Sequence, residues 1–323
     1  MKQIKNIILT IILSGSVLII IFIGDIIAKR VLDLGDPIVY DSHALWGYAP
    51  RENRTYKRFD GEIVTINDVG ARGEDNWNDN GNNIIFIGDS VTYGGSYIGD
   101  NQTFASLSCQ TFKDWTCHNL GVNAYGVLNM VARSRYDKRI SRAPLRIFTF
   151  ITEDFDRGLE NSDTAHFILR EPPNYLSGLW EIMNFIAAKI NISPKQFLGK
   201  KSDNFDTKIL EEAQRLKREF ALDILIMELK RLDQIGLEFL LVHSPSISEL
   251  GNINILKNNP IFNRLFNLYP DKFIFLSDVF DYHYKTGEKK IYRDTIHYEK
   301  FGHLLVSNYL SPIIARIIKK DLK

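Results

Sequence analysis

The sequence predicts an α/β protein in three layers, with helices on both faces of a five-stranded parallel sheet, preceded by one N-terminal transmembrane helix. Short apolar runs alternate with helix-like segments, which is typical of parallel sheets. The run Ile84–Ile87 has the unbroken apolar character of a strand that is buried on both faces. Asn6–Gly24 carries no charge and consists mostly of Ile and Leu, which predicts the transmembrane helix.

The N-terminal segment, residues 1–30, is expected to be an uncleaved signal anchor. A cleaved signal peptide is the alternative, but the apolar run is long for one, and Ala28-Lys29-Arg30 is not a small-x-small cleavage site. Basic residues flank the span almost equally, so the short N-terminal tail decides the orientation. We expect a single-pass membrane protein with its main domain outside the cytoplasm.

Composition excludes some classes of function. The formal net charge is +1 and no basic run lies outside the termini, so nucleic-acid binding is not expected. Cys109 and Cys117 would form a disulfide in an oxidising compartment or remain two buried thiols. His118 adjoins Cys117 without any recognisable ligand spacing, so neither a metal nor a cofactor is expected.

Residues 31–82 are polar and Gly-rich, and we expect an irregular, partly β extension that packs on the main domain. Its aromatic side chains are expected to pack rather than to bind a ligand. Arg72 is expected to be a solvated surface residue, with an anchor to a carboxylate near the site as the alternative.

The main domain is expected to span residues 83–320. Its predicted strands are, in order, Ile84–Gly88, Thr116–Leu120, Arg146–Ile151, Leu237–Val242 and Phe273–Leu276. Its predicted helices are Thr103–Phe112, Val127–Ile140 with exposed basic residues, Asp206–Gln234, a short helix from the Asn259 cap to Leu268, and Lys300–Lys319 with a kink or break at Pro312.

An insertion is expected at about residues 158–204. Its centre, Leu176–Leu198, is apolar and aromatic. We expect this centre to add to the hydrophobic core. A substrate lid and a membrane-facing helix are the alternatives.

The turn Gly88-Asp89-Ser90 ends the first strand of the main domain, ahead of a helix-like segment. This position is the rim of an open α/β sheet, where ligands bind. Serine becomes a nucleophile only when a base takes its proton and an acid orients that base. His297 and Asp294 are the two ends of a four-residue stretch near the C-terminus and would supply the base and the acid. Otherwise Ser90 and Asp294 would simply cap helices.

Two further histidines have other expected roles. His303 falls within the last helix and is expected to pack or to face solvent. His243 falls at the sheet rim, where contact with a substrate is the lesser alternative.

These motifs resemble the SGNH/GDSL hydrolase superfamily, in particular its membrane-anchored bacterial members, over roughly Ile63–Leu310. The first block, Gly88–Gly94, and the fifth, Asp294–His297, are specific when taken together. The second block, Asn119–Gly126, and the third, Ile151–Asp154, are weaker. The stretch Ile66–Gly73 also resembles a lead-in that precedes the first block in anchored members.

The resemblance implies a serine hydrolase in which Ser90 is the nucleophile, His297 the base and Asp294 the orienting acid. It also implies an oxyanion hole formed by the N–H of Ser90, by the N–H of Ala124 or else Gly121, and by the side chain at position 153.

Glu153 departs from the family, which has asparagine at this position. An ionised carboxylate has no proton to donate to an oxyanion. Three outcomes fit this departure: burial keeps Glu153 protonated, Thr152 or Asn123 donates instead, or the enzyme is slow or tuned to another reaction.

The expected activity is that of a serine esterase. Its substrates would be O-acyl esters, in the first place O-acetyl esters, of an envelope carbohydrate or a small metabolite. Two alternatives remain: transfer of the acyl group to a polysaccharide by the same three residues, and a catalytically weak or inactive envelope scaffold. The expected partners are the ester substrate and, through the N-terminal helix, the membrane.

Overall fold

The computed structural model describes residues 2–58, 61–79, 81–159, 171–190, 207–251, 256, 258–287 and 290–321. The chain begins with the long helix α1 (Lys2–Val31). Two antiparallel hairpins follow, formed by β1 (Tyr40–His43) with β2 (Gly47–Pro50) and by β3 (Arg54–Arg58) with β4 (Glu62–Ile66). The described part of residues 31–82 thus contains four short strands.

A sheet of five parallel strands forms the centre of the protein. The strands are β5 (Asn82–Gly88), β6 (Trp115–Gly121), β7 (Leu145–Phe150), β8 (Glu238–His243) and β9 (Phe273–Phe275). They lie in the order β6-β5-β7-β8-β9, and each pairs in parallel with its neighbours. The predicted five-stranded parallel sheet is confirmed, and each predicted strand corresponds to an observed one.

Helices cover both faces of the sheet. They are α2 (Ser90–Tyr93), α3 (Phe104–Cys109), α4 (Val127–Tyr136), α5 (Ser177–Ile190), α6 (Thr207–Gln234), α7 (Pro260–Leu268), α8 (Ser277–Thr286) and α9 (Lys300–Asp321). Alternate residues of β5 enter opposite cores: Ile85 packs with Leu229 of α6, and Phe86 packs with Leu310 of α9. This alternation follows from the two-residue period of a strand and makes the three layers.

Several helix boundaries differ from the predictions. Helix α4 ends at Tyr136 rather than at Ile140, and α8 was not predicted. Helix α9 runs through Pro312 to Asp321, so the predicted alternative of a break there is wrong. Asn259 does cap α7, since its Oδ1 accepts from the N–H of Ile261 at 3.0 Å.

The extension is joined to the edge of the sheet by Arg72, whose backbone N–H donates to the carbonyl of Asn119 in β6 at 2.7 Å. Arg133 of α4 reaches the extension from the other side, and its Nη2 donates to the carbonyls of Val69 and Gly70 at 3.0 and 3.1 Å. Arg72 and Arg133 are only 4% and 1% exposed. The expectation that both are solvated is wrong, because their guanidinium groups satisfy buried backbone carbonyls.

Cys109 and Cys117 form a disulfide that joins the end of α3 to β6, with Cα atoms 5.8 Å apart. This pairing decides between the two alternatives that the sequence left open. The short loop that it closes lies at the edge strand of the sheet.

Within the described residues, two helices are long and apolar enough to span a membrane. In α1 the stretch Gln3–Val31 has a mean hydropathy of 2.8, and none of it is buried in the protein. In α9 the stretch Lys300–Lys319 has a mean hydropathy of 1.2, and 44% of it is buried. Val306, Leu310 and Ile314 of α9 belong to the core. Of these two described helices, it is therefore α1 that has the character of an anchor or a signal sequence.

The described part of the insertion is α5 and the residues just before it; residues 160–170 and 191–204 lie outside the described ranges. Helix α5 packs against the end of α1. Met183, Phe185 and Ile186 are 64%, 43% and 45% exposed. These three apolar side chains are therefore not part of a core.

Candidate active site

Ser90 lies where β5 ends and α2 begins, at the carboxyl edge of the sheet. Asp89 caps α2, and its Oδ1 accepts from the N–H of Val91 at 2.9 Å. Gly94 ends the helix at φ 91°, a left-handed conformation that glycine adopts without strain. Because Asp89 fills the capping position, the side chain of Ser90 is left for another role.

His297 approaches Ser90 from a loop near the C-terminus, and its Nε2 lies 2.8 Å from Ser90 Oγ. Its Nδ1 lies 2.8 Å from Oδ2 of Asp294. The other oxygen of Asp294 accepts from the backbone N–H groups of Ile296 and His297 at 3.0 and 2.9 Å. The structure therefore brings the three sequence-predicted residues into one hydrogen-bonded chain.

Asp294 is suited to orient the imidazole as a carboxylate. Partial burial acts to raise its pKa, but the N–H groups of His297 and Ile296 and the His297 side chain outweigh this and lower the pKa below its ordinary value. The Asp294 side chain is 53% exposed, so these interactions are partly screened by water. The carboxylate stays ionised at neutral pH and favours the tautomer that carries its proton on Nδ1.

A cleft of about 360 Å³ opens above Ser90 and His297. Its remaining walls are largely apolar or aromatic, and include Pro37, Ile38 and Tyr40 of the extension, Tyr97 of the loop after α2, and Phe185 of α5. An apolar cleft with a few polar groups at one end is typical of a small-molecule site.

The two predicted backbone donors besides Ser90 differ in their local geometry. Ala124 has φ 60°, an uncommon conformation for a non-glycine residue, in the loop after β6. The N–H of Gly121, by contrast, donates to Asn119 Oδ1 at 3.0 Å. A Cβ at Gly121 would lie 2.1 Å from the backbone nitrogen of Tyr93, so this glycine allows β6 to approach α2.

Glu153, the predicted side-chain member of the oxyanion hole, is exposed and does not line the cleft. The burial on which one of the three outcomes depends is therefore absent at Glu153. Thr152, one proposed substitute, donates through Oγ1 to Oε1 of Glu249 at 2.5 Å. Asn123, the other substitute, does line the cleft beside Ser90, and its Nδ2 donates to Tyr40 Oη at 2.9 Å.

Arg157, which the sequence reasoning missed, ties together three loops beneath the site. Its Nη1 donates to Asp154 Oδ1 at 2.6 Å and to the carbonyl of Tyr125 at 2.8 Å, and lies 3.6 Å from Oδ2 of Asp89. The sequence feature that could have indicated this role is the position of Arg157 three residues after Asp154, close enough for an ion pair. This guanidinium group holds the loops that carry Ser90, Ala124 and Asp154 in fixed relation.

Asp89 and Asp154 are both fully buried and share Arg157. Burial raises the pKa of both carboxyl groups. The nearby Asp89 raises the pKa of Asp154 further, because two adjacent negative charges disfavour each other. Neither group reaches the cleft, so we assign both a positioning role.

Arg72 supports the loop that follows α2. Its Nη1 donates to the carbonyls of Tyr93 and Gly95 at 2.8 and 2.6 Å, and its Nη2 donates to the carbonyl of Ile98 at 2.5 Å. Its Nε donates to Oδ1 of Asp100 at 2.8 Å. Arg72 therefore anchors to a carboxylate, as in the alternative expectation, but this carboxylate does not line the cleft.

His243 and His303 are buried outside the cleft. Nε2 of His243 lies 3.2 Å from Oγ1 of Thr152, and Nδ1 of His303 accepts from the N–H of Phe104 at 3.2 Å. Burial lowers the pKa of His243 to about 4 and that of His303 to about 3. The packing role expected of His303 is confirmed, and His243 lies beneath the sheet rim rather than at its surface. In the described ranges no group of three or more His, Cys, Asp or Glu side chains is arranged to hold a metal ion.

No family profile matches the sequence, and no curated protein matches it. Solved structures do resemble it. A member of the lipolytic protein G-D-S-L family from Veillonella parvula is 10% identical, with 72% of this chain and 98% of that chain covered and a TM-score of 0.40. An acetyl xylan esterase is 14% identical, with 72% and 99% covered and a TM-score of 0.43.

A two-domain esterase active on acetylated mannans is 15% identical, with 73% of this chain and 49% of that chain covered and a TM-score of 0.44. Identities and TM-scores of this size carry no inference about activity or substrate. The chemistry of the site must therefore be judged from its own geometry.

Proposed function

We propose that this protein is a serine esterase of the SGNH/GDSL type. The observation that carries the proposal is the unbroken chain of two 2.8 Å contacts from Ser90 Oγ through His297 to Asp294. A nucleophile, a base and an acid in this order are what acyl transfer through a serine requires.

In the first step, Ser90 Oγ attacks the ester carbonyl carbon while His297 Nε2 takes the hydroxyl proton. Asp294 stabilises the imidazolium ion that results. His297 then gives this proton to the departing alkoxide, so that the alcohol leaves and the acyl group remains on Ser90. Water, deprotonated by His297, attacks the acyl-enzyme, and the acid leaves as Ser90 regains its proton.

The tetrahedral intermediate needs hydrogen-bond donors for its oxyanion. We assign this role to the N–H groups of Ser90 and Ala124 and to the side chain of Asn123. Asn123 lines the cleft and Glu153 does not, which supports the substitution of one for the other. Each such donor contributes about 2.7–4 kcal/mol to lowering the barrier.

We further propose that α1 anchors the protein in a bacterial membrane with the site outside the cytoplasm. The unburied, apolar α1 and the disulfide between Cys109 and Cys117 support this location. The O-acetyl carbohydrate ester, acyl transfer to a polysaccharide and an inactive scaffold stay predictions from the sequence.

The experiment is to treat the full chain in detergent with a fluorophosphonate probe and with p-nitrophenyl acetate, beside Ser90→Ala and His297→Ala. Labelling at Ser90 and turnover that is lost in both variants would support the proposal. A folded wild-type protein that neither labels nor hydrolyses the ester would refute it.

A further inference from the structure

The apolar face of α5, which we define as Met183, Phe185 and Ile186, is exposed beside the only helix in the described ranges that has the character of a membrane anchor. Single exposed apolar residues are common, but several close together on a helix that packs against such an anchor are a candidate interaction surface.

Helix α5 is fixed to the C-terminal end of α1. The N–H of Leu179 donates to Oδ1 of Asp25 at 3.1 Å. Gly178 allows close approach, because a Cβ there would lie 2.8 Å from the Cβ of Ala28. Ala28 is 1% exposed, while most of the apolar residues before it in α1 are exposed. The level of α5 along α1 is thus defined by Asp25 and Ala28.

This level corresponds to the boundary of a bilayer. The 29 residues of the candidate span extend about 43 Å at about 1.5 Å per residue, whereas the hydrocarbon core is about 30 Å thick. Lys29 and Arg30 form the basic last turn of α1, and basic residues are common at the membrane–water interface. Helix α5 therefore starts where the span leaves the hydrocarbon.

The same helix forms part of the catalytic cleft. Phe185 lines the cleft together with Ser90. Glu181 is fully buried, with Oε1 accepting from Arg58 Nη2 at 2.5 Å and Oε2 accepting from the N–H of Gly35 at 2.6 Å. Gly35 begins the loop whose Pro37 also lines the cleft. The wall of the cleft and the apolar face of α5 are thus one connected surface.

We propose that the apolar face of α5 lies in the headgroup–acyl boundary of the membrane that α1 crosses, and that the cleft opens onto this boundary to take an ester carried on a membrane lipid. The position of α5 stands on geometry alone, whereas the lipid ester rests on the proposed function. A bilayer fits this surface better than a protein partner does, because the surface continues directly from α1.

The position of α5 is tested with the full chain in vesicles of phosphatidylcholine and phosphatidylglycerol. A fluorophore is attached to Met183→Cys without reductant, so that the disulfide stays intact, and is quenched by spin-labelled lipid or by aqueous iodide. The matched control is Met227→Cys on α6, a site 59% exposed. We expect lipid quenching at position 183 and iodide quenching at position 227. Equal responses at both positions would overturn the proposal.

The substrate class is tested with two esters, p-nitrophenyl acetate in water and a fluorogenic acyl ester of a glycerolipid in the same vesicles. In Met183→Glu/Ile186→Glu we expect the ratio of lipid-ester turnover to acetate turnover to fall at least tenfold, and in Met227→Glu to stay unchanged. An unchanged ratio in the double variant would overturn the lipid ester. If wild type hydrolyses neither ester, the proposed function fails and the lipid ester with it, while the quenching pattern still decides where α5 lies.

Discussion

Asp294 holds His297 at two points, with Oδ2 bound to the ring Nδ1 at 2.8 Å and Oδ1 bound to the backbone N–H at 2.9 Å. One carboxylate therefore both closes the turn and selects the tautomer of the ring. The sequence offered helix capping and catalysis as alternatives for Asp294, and in the structure a local backbone cap and the imidazole contact coexist.

The two contacts can be separated with Asp294→Asn. Its Oδ1 can still accept from the backbone, but its Nδ2 would face Nδ1 of His297 as a donor and would favour the tautomer with the proton on Nε2. That tautomer cannot take the proton of Ser90. We expect kcat for p-nitrophenyl acetate to fall about 10⁴-fold with little change in melting temperature, measured side by side by kinetics and calorimetry. Activity within tenfold of wild type would contradict this role.

The second prediction concerns the oxyanion hole. Asn123→Ala removes a donor that lines the cleft, so we expect kcat to fall about 10²–10³-fold with a smaller effect on KM. Glu153→Ala removes an exposed carboxylate outside the cleft and should change kcat by less than about threefold, since it deletes no donor. Steady-state kinetics on both variants compares the two positions directly.

Tyr40→Phe is the control for this comparison, because it removes the acceptor of the 2.9 Å bond from Asn123 while leaving the amide in place. We expect it to retain much more activity than Asn123→Ala. Equal losses in these two variants would mean that Asn123 acts only by supporting Tyr40. A large gain of activity in Glu153→Asn would show that the side chain at position 153, and not that of Asn123, can donate to the oxyanion.

The elements that the sequence predicted well are those whose pattern is local. Strand β5 was found because Ile84–Ile87 is apolar throughout, and α7 because Asn259 and Pro260 mark its start. Helix α8 was missed because Ser277–Thr286 is short and largely polar, with only Ser277 and Phe280 buried. Its position depends on packing rather than on a strong period in its own sequence.

The contacts of three arginines that hold loops together were beyond such reasoning for a different reason. Arg72, Arg133 and Arg157 are held mainly by backbone carbonyls and carboxylates from distant loops. A carbonyl is present at every position of a sequence, so its availability as a partner is visible only in the fold. The sequence did offer Asn123 as a substitute donor beside Thr152, but its place beside Ser90 depends on how the loop after β6 turns at Ala124.

The third prediction tests Arg72 as the support of the loop after α2. Arg72→Met would leave the carbonyls of Tyr93 and Ile98 without their donor and Asp100 without its ion pair. Breaking a buried pair in this way costs about 3–5 kcal/mol, so we expect the melting temperature to fall on the order of 10 °C. The turnover of the remaining folded protein should also fall, because the freed loop carries Tyr97 of the cleft.

Arg215→Met is the control, since Arg215 lies on the exposed surface of α6 and pairs only with neighbours on its own helix among the described residues. It should leave both the melting temperature and the turnover unchanged. If Arg72→Met also melted as wild type does, the bonds of Arg72 would contribute nothing to stability.

The last prediction concerns three buried histidines. Burial lowers the pKa of His118 and His243 to about 4 and that of His303 to about 3, from an ordinary value of 6.5. Below about pH 6.5 the unfolded chain binds protons that the folded protein does not, so the free energy of unfolding falls as the pH falls. Each histidine contributes about 1.4 kcal/mol per pH unit until its folded pKa is reached.

His303→Gln isolates one of these contributions. Glutamine can accept from the N–H of Phe104 in place of Nδ1 but takes up no proton. The free energy of unfolding is measured for wild type and variant at a series of pH values. Above pH 7 its dependence on pH should be the same in both proteins, because the histidine is neutral in the folded and in the unfolded chain. Between pH 6.5 and pH 4.5 the free energy of unfolding of the wild type should fall more steeply than that of the variant. The difference in slope should be about 1.4 kcal/mol per pH unit, which corresponds to about one proton. Identical slopes over that interval would show that His303 becomes protonated in the folded protein as readily as in the unfolded chain, and its burial would then have no effect on its charge.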